Sequence, residues 1–284
     1  MVANRRSGCG VGAIFVAVLS RDMPSFTSYE PGQPCWIDLM SPDVDASKTF
    51  YSAVFGWEAR DELDDDGNRI YVNFSLDGRD VAGLGGNPPG MPPMAIWNSY
   101  VCSTDLAATV EQVEAAGGSV MMPPVQVMAA GHMAIIADPT GAAISIWQPG
   151  EHAGAGVANE PNTWSWNELM TRDIDTALPF YSEVFGWEFT SMDMGGGMIY
   201  HVVQGGADGW AGAMAMPPDV PEQAPNHWAV YFMVADTEAT VQAVTANGGQ
   251  VVMPPMDTPG VGRMCIFHDP QGGSFSTLQP EQSG

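Results

Sequence analysis

Apolar and polar side chains alternate through Trp36-Ile37-Asp38-Leu39-Met40, which predicts a half-buried strand. Ser41 or Asp43 then caps a helix whose apolar positions Val44, Phe50, Tyr51, Val54 and Phe55 recur at helical spacing, and Gly56 ends it. Strand-like segments follow over Ile70–Leu76 and Val81–Leu84, separated by an Asp77-Gly78 turn. After the proline-rich stretch Asn87–Pro93 the order restarts. A strand is predicted over Ser99–Ser103, a helix from Asp105 to Gly117, and further strands over Ser119–Met122, Met133–Ala137 and Ala143–Trp147. The unit is βαβββ, used twice.

The whole pattern then repeats. Phe50-Tyr51-Ser52-Ala53-Val54-Phe55-Gly56-Trp57-Glu58 returns as Phe180-Tyr181-Ser182-Glu183-Val184-Phe185-Gly186-Trp187-Glu188. Gly117-Gly118-Ser119-Val120-Met121-Met122-Pro123-Pro124 returns as Gly248-Gly249-Gln250-Val251-Val252-Met253-Pro254-Pro255, and Asp138-Pro139-Thr140-Gly141 as Asp269-Pro270-Gln271-Gly272. Three matches in register establish an internal duplication. The expected organisation is a first domain over residues 33–150, a small, polar linker over 151–160 and a second domain over 161–280. Residues 1–32 are expected to lie outside the domains. Arg5 and Arg6 precede an apolar stretch, Val11 to Leu19, that imitates a signal peptide without a clean small-x-small cleavage site. The expectation is that Met23 is the true start, or that residues 1–22 are a disordered extension.

Composition narrows the function. The 284 residues are 45% hydrophobic and 10% aromatic, which excludes a disordered, collagen-like or coiled-coil chain. Nine Lys and Arg face 33 Asp and Glu, a formal charge of −24. Such a field repels phosphate backbones and anionic lipid, so neither nucleic acid nor membrane is an expected partner. It also leaves little with which to grip a polyanionic substrate. Cys9, Cys35, Cys102 and Cys265 show no paired spacing, which suits free thiols in a reducing, cytoplasmic setting.

The βαβββ order, with F-Y-x-x-x-F-G-W at a helix end and D-P-x-G before the last strand, resembles the vicinal oxygen chelate superfamily. This superfamily includes glyoxalase I, bleomycin-resistance proteins and extradiol dioxygenases. The two-domain F-G-W form is most similar to an actinobacterial tandem branch labelled glyoxalase-like or hydroxylase-like. The resemblance spans about Gln33 to Pro280. It implies an α+β fold of two tandem domains, each a pair of βαβββ modules curled into a cup-shaped, eight-stranded mixed sheet with ligand inside. It also implies metal-ligand positions on the first, fifth and eighth strands. Counted from the helix-capping aspartates and from D-P-x-G, these hold Trp36, Asn98 and Ser145 in the first copy and Trp166, Ala229 and Ser276 in the second. Indole, amide, methyl and hydroxyl groups do not replace imidazole and carboxylate, so no metal and no cofactor are expected. A substitute set of Glu168, His201 and His227 is the one alternative; in the first copy Tyr71 and Ile96 align with the two histidines.

By parity with the ligand positions that the resemblance implies, Trp36, Asp38, Asn98, Tyr100, Ser145 and Trp147 are expected to face the first cup, and Trp166, Glu168, Tyr231 and Ser276 the second, with His201 and His227 as further ligand-binding candidates. The tryptophans either line a pocket or plug it. Asp38 and Glu168 are either acid–base catalysts or carboxylates satisfied by neighbouring indole and phenol groups. The favoured reading is a metal-independent enzyme, with lyase, isomerase or hydroxylase-like activity, acting on a small, mostly apolar, aromatic or polyketide-like molecule. A sequestering protein without chemistry is the alternative, and a glyoxalase-type lyase or isomerase the second. Two cups in one chain suit a monomer with pseudo-dimeric domain pairing, or a homodimer.

Overall fold

The computed structural model describes residues 26–205 and 209–281. In the first domain β1 (Pro34–Ser41) leads into α1 (Val44–Phe55), followed by β2 (Glu58–Leu63), β3 (Arg69–Leu76) and β4 (Arg79–Gly86). The second module runs β5 (Ile96–Cys102), α2 (Leu106–Ala115), β6 (Ser119–Val127), β7 (Gly131–Ala137) and β8 (Ala143–Pro149). The second domain repeats this as β9 (Trp164–Thr171), α3 (Ile174–Phe185), β10 (Phe189–Gly195), β11 (Met198–Val203) and β12 (Gly212–Ala215), then β13 (His227–Met233), α4 (Thr237–Ala246), β14 (Gln250–Thr258), β15 (Gly262–His268) and β16 (Ser274–Pro280).

Asp43 is the cap of α1: its side chain accepts the Ala46 N–H at 3.0 Å, while Ser41 Oγ bonds Ser47 Oγ. Gly56, at φ 74°, closes the helix in the left-handed conformation. Each domain forms one eight-stranded sheet, in the orders β2-β3-β4-β1-β5-β8-β7-β6 and β10-β11-β12-β9-β13-β16-β15-β14. The two modules of a domain meet where β1 runs antiparallel to β5, and β9 to β13, which places these four strands along the floors of the cups.

The strand β2, Glu-Ala-Arg-Asp-Glu-Leu, has no apolar alternation to announce it, because as an edge strand it buries neither face. Of the Met-Pro-Pro segments, Met122 and Met253 do not stand in turns. They lie inside the edge strands β6 and β14, where the prolines fall at register shifts, a position that needs no ladder donor.

The helices join the domains. Phe50, Tyr51 and Phe55 of α1 pack with Phe232 and Phe275 of the second domain, and Tyr51 OH donates to Asp269 Oδ2 at 2.9 Å. The reciprocal bond runs from Tyr181 OH of α3 to Asp138 Oδ2, also at 2.9 Å. Each buried phenol also accepts an indole N–H, from Trp97 and Trp228 respectively. The repeated F-Y and D-P-x-G motifs are thus two halves of an interdomain clasp.

Residues 26–32, expected outside the domains, bond to the linker and to both domains: Tyr29 OH donates to Ala155 O, Gly32 N to Cys102 O, and Trp187 Nε1 to Gly32 O. The expectations for Met23 and residues 1–22 lie outside the described residues. Among the described residues no helix is long and apolar enough to cross a membrane.

Candidate functional site

The two cups carry the same polar floor. In the first, Asp38 on β1 accepts Tyr71 OH and Tyr100 OH at Oδ2, both at 2.9 Å, and Asn98 Nδ2 at Oδ1, at 2.8 Å. Tyr71 in turn accepts Trp36 Nε1 at 3.2 Å. In the second, Glu168 on β9 accepts Tyr231 OH at 2.9 Å and a further bond from Tyr200, whose oxygen accepts Trp166 Nε1 at 2.9 Å. Both tyrosines that reach across from β3 and β11 pass directly over a glycine: a Cβ at Gly83 or Gly212 would occupy the phenol oxygen. Gly83 is the register partner of Asp38, and Gly212 of Glu168, so the missing side chains are what let the phenols arrive at the carboxylates.

Burial pushes both carboxylates above their ordinary range; the phenol donors, with the Asn98 amide at Asp38, pull back down, without cancelling it. The same burial, together with the neighbouring carboxylate, raises Tyr71, Tyr100, Tyr200 and Tyr231 well above an ordinary phenol, so they remain donors. Tyr100 pairs with Ser145 across the ladder, and Tyr231 with Ser276.

Above these floors, alike in their carboxylate, paired phenols and indole, the cups diverge. The second encloses a cavity of about 370 Å³. Its floor is Trp166, Glu168, Tyr200 and Tyr231, and its walls are dominated by Met170, Met194, Met198, Met214, Met253, Met256 and Met264. Among the described residues, Glu168 is the only charged one lining it. Lys48, Arg60, Arg69, Arg79 and Arg263 are committed to ion pairs elsewhere, and Arg172 to backbone carbonyls of Pro221 and Ala224. In the first cup the linker folds back over the floor. The His152 ring sits edge-on to Trp36, with centroids 4.6 Å apart, and lies 6.0 Å from Trp147, whose Nε1 donates to His152 O at 2.9 Å. His152 Nε2 is buried without a hydrogen-bond partner, and desolvation lowers its pKa, which keeps the imidazole neutral.

Two expected residues, His201 and His227, are not in the cavity lining. His201 is not beside Glu168: Tyr200 points into the cup, so its strand neighbour points out, where His201 Nδ1 meets Ser191 Oγ at 2.9 Å. Tyr200, not His201, is the counterpart of Tyr71, because the β10–β11 hairpin is one residue shorter than its partner. His227 is exposed, opposite Met170 in the ladder, with Nδ1 against Pro225 O; it acts on Glu168 only through space. Glu168, His201 and His227 therefore do not converge, and among the described residues no group of three or more His, Cys, Asp or Glu is arranged to hold a metal ion. The residues at the superfamily's ligand positions do not fit a divalent ion either, since both cups offer indole, hydroxyl, and an amide or methyl group there. The sequence reading missed Tyr71, Tyr200 and His152.

A family model described as the Glyoxalase/Bleomycin resistance protein/Dioxygenase superfamily matches the chain twice, over residues 35–146 and 164–275. CFP32 of Mycobacterium tuberculosis, provisionally named a glyoxylase, is 43% identical over 263 residues, covering 91% of this chain and 98% of that protein. The anthracycline biosynthesis protein DauV of Streptomyces sp. strain C5 is 38% identical over 275 residues, covering 89% and 95%. Among solved structures, the 2,2',3-trihydroxybiphenyl 1,2-dioxygenase of Sphingomonas wittichii matches with a TM-score of 0.60 at 17% identity, over 89% of this chain and 92% of that one. The Mn(II)-bound glyoxalase of Novosphingobium aromaticivorans matches with a TM-score of 0.59 at 18% identity, over 88% and 83%. These two likenesses concern the fold.

Proposed function

Since the chain belongs to the glyoxalase/bleomycin resistance protein/dioxygenase superfamily, we propose that its second cup binds a small, mostly apolar organic molecule and that Glu168 serves there as a metal-independent acid–base group. The observation that carries this reading is a single carboxylate, Glu168, on the floor of a methionine-walled cavity of about 370 Å³, among the described residues. A space of that size suits a compact aromatic body, and thioether walls adapt to its outline. The biosynthetic name of DauV supports a search among aromatic, polyketide-like molecules.

The chemistry follows from the floor. A carboxylate pushed up by burial is a stronger base than one in water, and so better matched to taking a proton near neutral pH. Tyr200 and Tyr231 hold it in place as donors while Glu168 removes a proton from a substrate C–H or O–H, or returns one. The first cup shares the floor but is occupied by the His152 ring, and is assigned a structural role. Asp38, with three donors already on it, is accordingly a second choice as catalyst.

Sequestration without turnover is the second reading, favoured by the soft methionine walls. Glu168→Gln separates the two. An enzyme loses turnover and keeps its ligand; a sequestering protein keeps its ligand and had no turnover to lose.

A further inference from the structure

The two cups are internal templates for each other, and they differ at one position beside the carboxylate. In the first, Asn98 is the register partner of Asp38, and its Nδ2 donates to Asp38 Oδ1 at 2.8 Å. In the second, Ala229 is the register partner of Glu168 and offers a methyl group. Asp38 therefore receives two phenols and an amide, whereas Glu168 receives two phenols. Glu168 reaches one methylene further into its cup, and it lines the cavity. An ionised carboxylate has about four lone-pair sites, so acceptor capacity remains toward the cavity, in a desolvated setting where an unmet acceptor is costly. Among the described residues no lysine or arginine lines the cavity to meet it.

We infer that the ligand of the second cup carries a hydrogen-bond donor, a hydroxyl or an ammonium group, that meets Glu168 as the Asn98 amide meets Asp38. This rests on the second cup being the binding site. It adds that the site selects for a donor on an apolar body and against a carboxylate or other anion, which would face Glu168 with like charge and, among the described residues, no lysine or arginine in the cavity lining to compensate.

Equilibrium dialysis of the full chain with four naphthalene probes tests this: 1-naphthol, 1-naphthylmethylamine, 1-methoxynaphthalene and 1-naphthoate. The naphthol, the amine or both bind at least about tenfold more tightly than the methyl ether, and the naphthoate binds most weakly. Which of the two donors binds better tells a neutral hydroxyl from an ammonium. Ala229→Asn supplies the donor from the protein and removes the preference over the ether, while Ala229→Val, which adds bulk without a donor, retains it. Equal binding of naphthol, amine and ether to the unaltered chain overturns this inference and leaves the cavity reading standing. Failure of all four to bind overturns both.

Discussion

Tyr51 and Asp269 belong to different domains, yet the Tyr51 hydroxyl donates to Asp269 Oδ2 at 2.9 Å while accepting Trp97 Nε1 at 2.9 Å. Tyr51→Phe strands a buried indole N–H and takes one donor from a largely buried carboxylate. The expected cost is about 1–3 kcal/mol, a fall in Tm of several degrees. Asp269 also accepts the backbone N–H groups of Gln271 and Gly273 in its own turn, so Asp269→Asn destabilises by itself. The double variant costs less than the sum of the two, because both remove one shared bond. Additive losses in urea denaturation would show that the bond does not couple the domains.

Glu168→Gln changes how stability depends on pH. The folded-state pKa of Glu168 is raised by burial, so folding favours its protonated form. The stability this gives is fully present below the unfolded value of about 4.5 and is lost as pH rises through the folded pKa. Glutamine cannot lose a proton. The Tm of Glu168→Gln relative to the unaltered chain should therefore climb as pH rises above about 4.5 and then level off. A difference that stays flat across that range, measured by scanning calorimetry, contradicts the assigned shift.

His152 runs the other way. Its pKa is lowered by desolvation, so below its unfolded value of about 6.5 the unfolded chain takes up a proton that the folded chain resists. Stability falls as pH drops through that window, and His152→Phe should lessen the fall. Removing the ring has a second consequence. His152→Ala uncovers the floor of Trp36 and Asp38, and the stoichiometry of 1-naphthol binding should rise from one per chain to two. An unchanged stoichiometry would mean that the first cup is closed by something other than His152.

Indole, amide or methyl, and hydroxyl groups at the superfamily's ligand positions predict no stoichiometric metal. After incubation with Mn(II), Ni(II), Zn(II) or Fe(II) and gel filtration, elemental analysis should find well below one ion per chain. One tightly held ion per chain would mean that a different set of residues forms a centre.

The duplication and the D-P-x-G turns were legible because each is written locally, in periodicity and in repeated words; the cup was legible only through the family resemblance that those words carry. The inward carboxylates Asp38 and Glu168 were legible for the same reason, since parity along one strand is a short-range property. Their partners were harder. Tyr200 was hidden because the hairpin before it is one residue shorter than the one before Tyr71, and a slip of one residue exchanges the two faces of a strand. Hence His201 appeared in its place. His152 sits in a small, polar linker whose composition announces only a connection; that it folds back onto Trp36 is a tertiary fact. The strand Glu58–Leu63 buries no stripe of its own and left no pattern to read.

The central claim is that the second cup holds a small, mostly apolar ligand and the first does not. The first cup also suggests how to block the second: Trp147 there stands where Leu278 stands in the second, opposite Met133 and Met264 respectively. Native mass spectrometry of the chain taken directly from its host, beside the Leu278→Trp variant, is the most direct measurement. One small organic adduct per chain, absent from the variant, is the expected result. A chain that carries no adduct, or an adduct that survives Leu278→Trp, would contradict it.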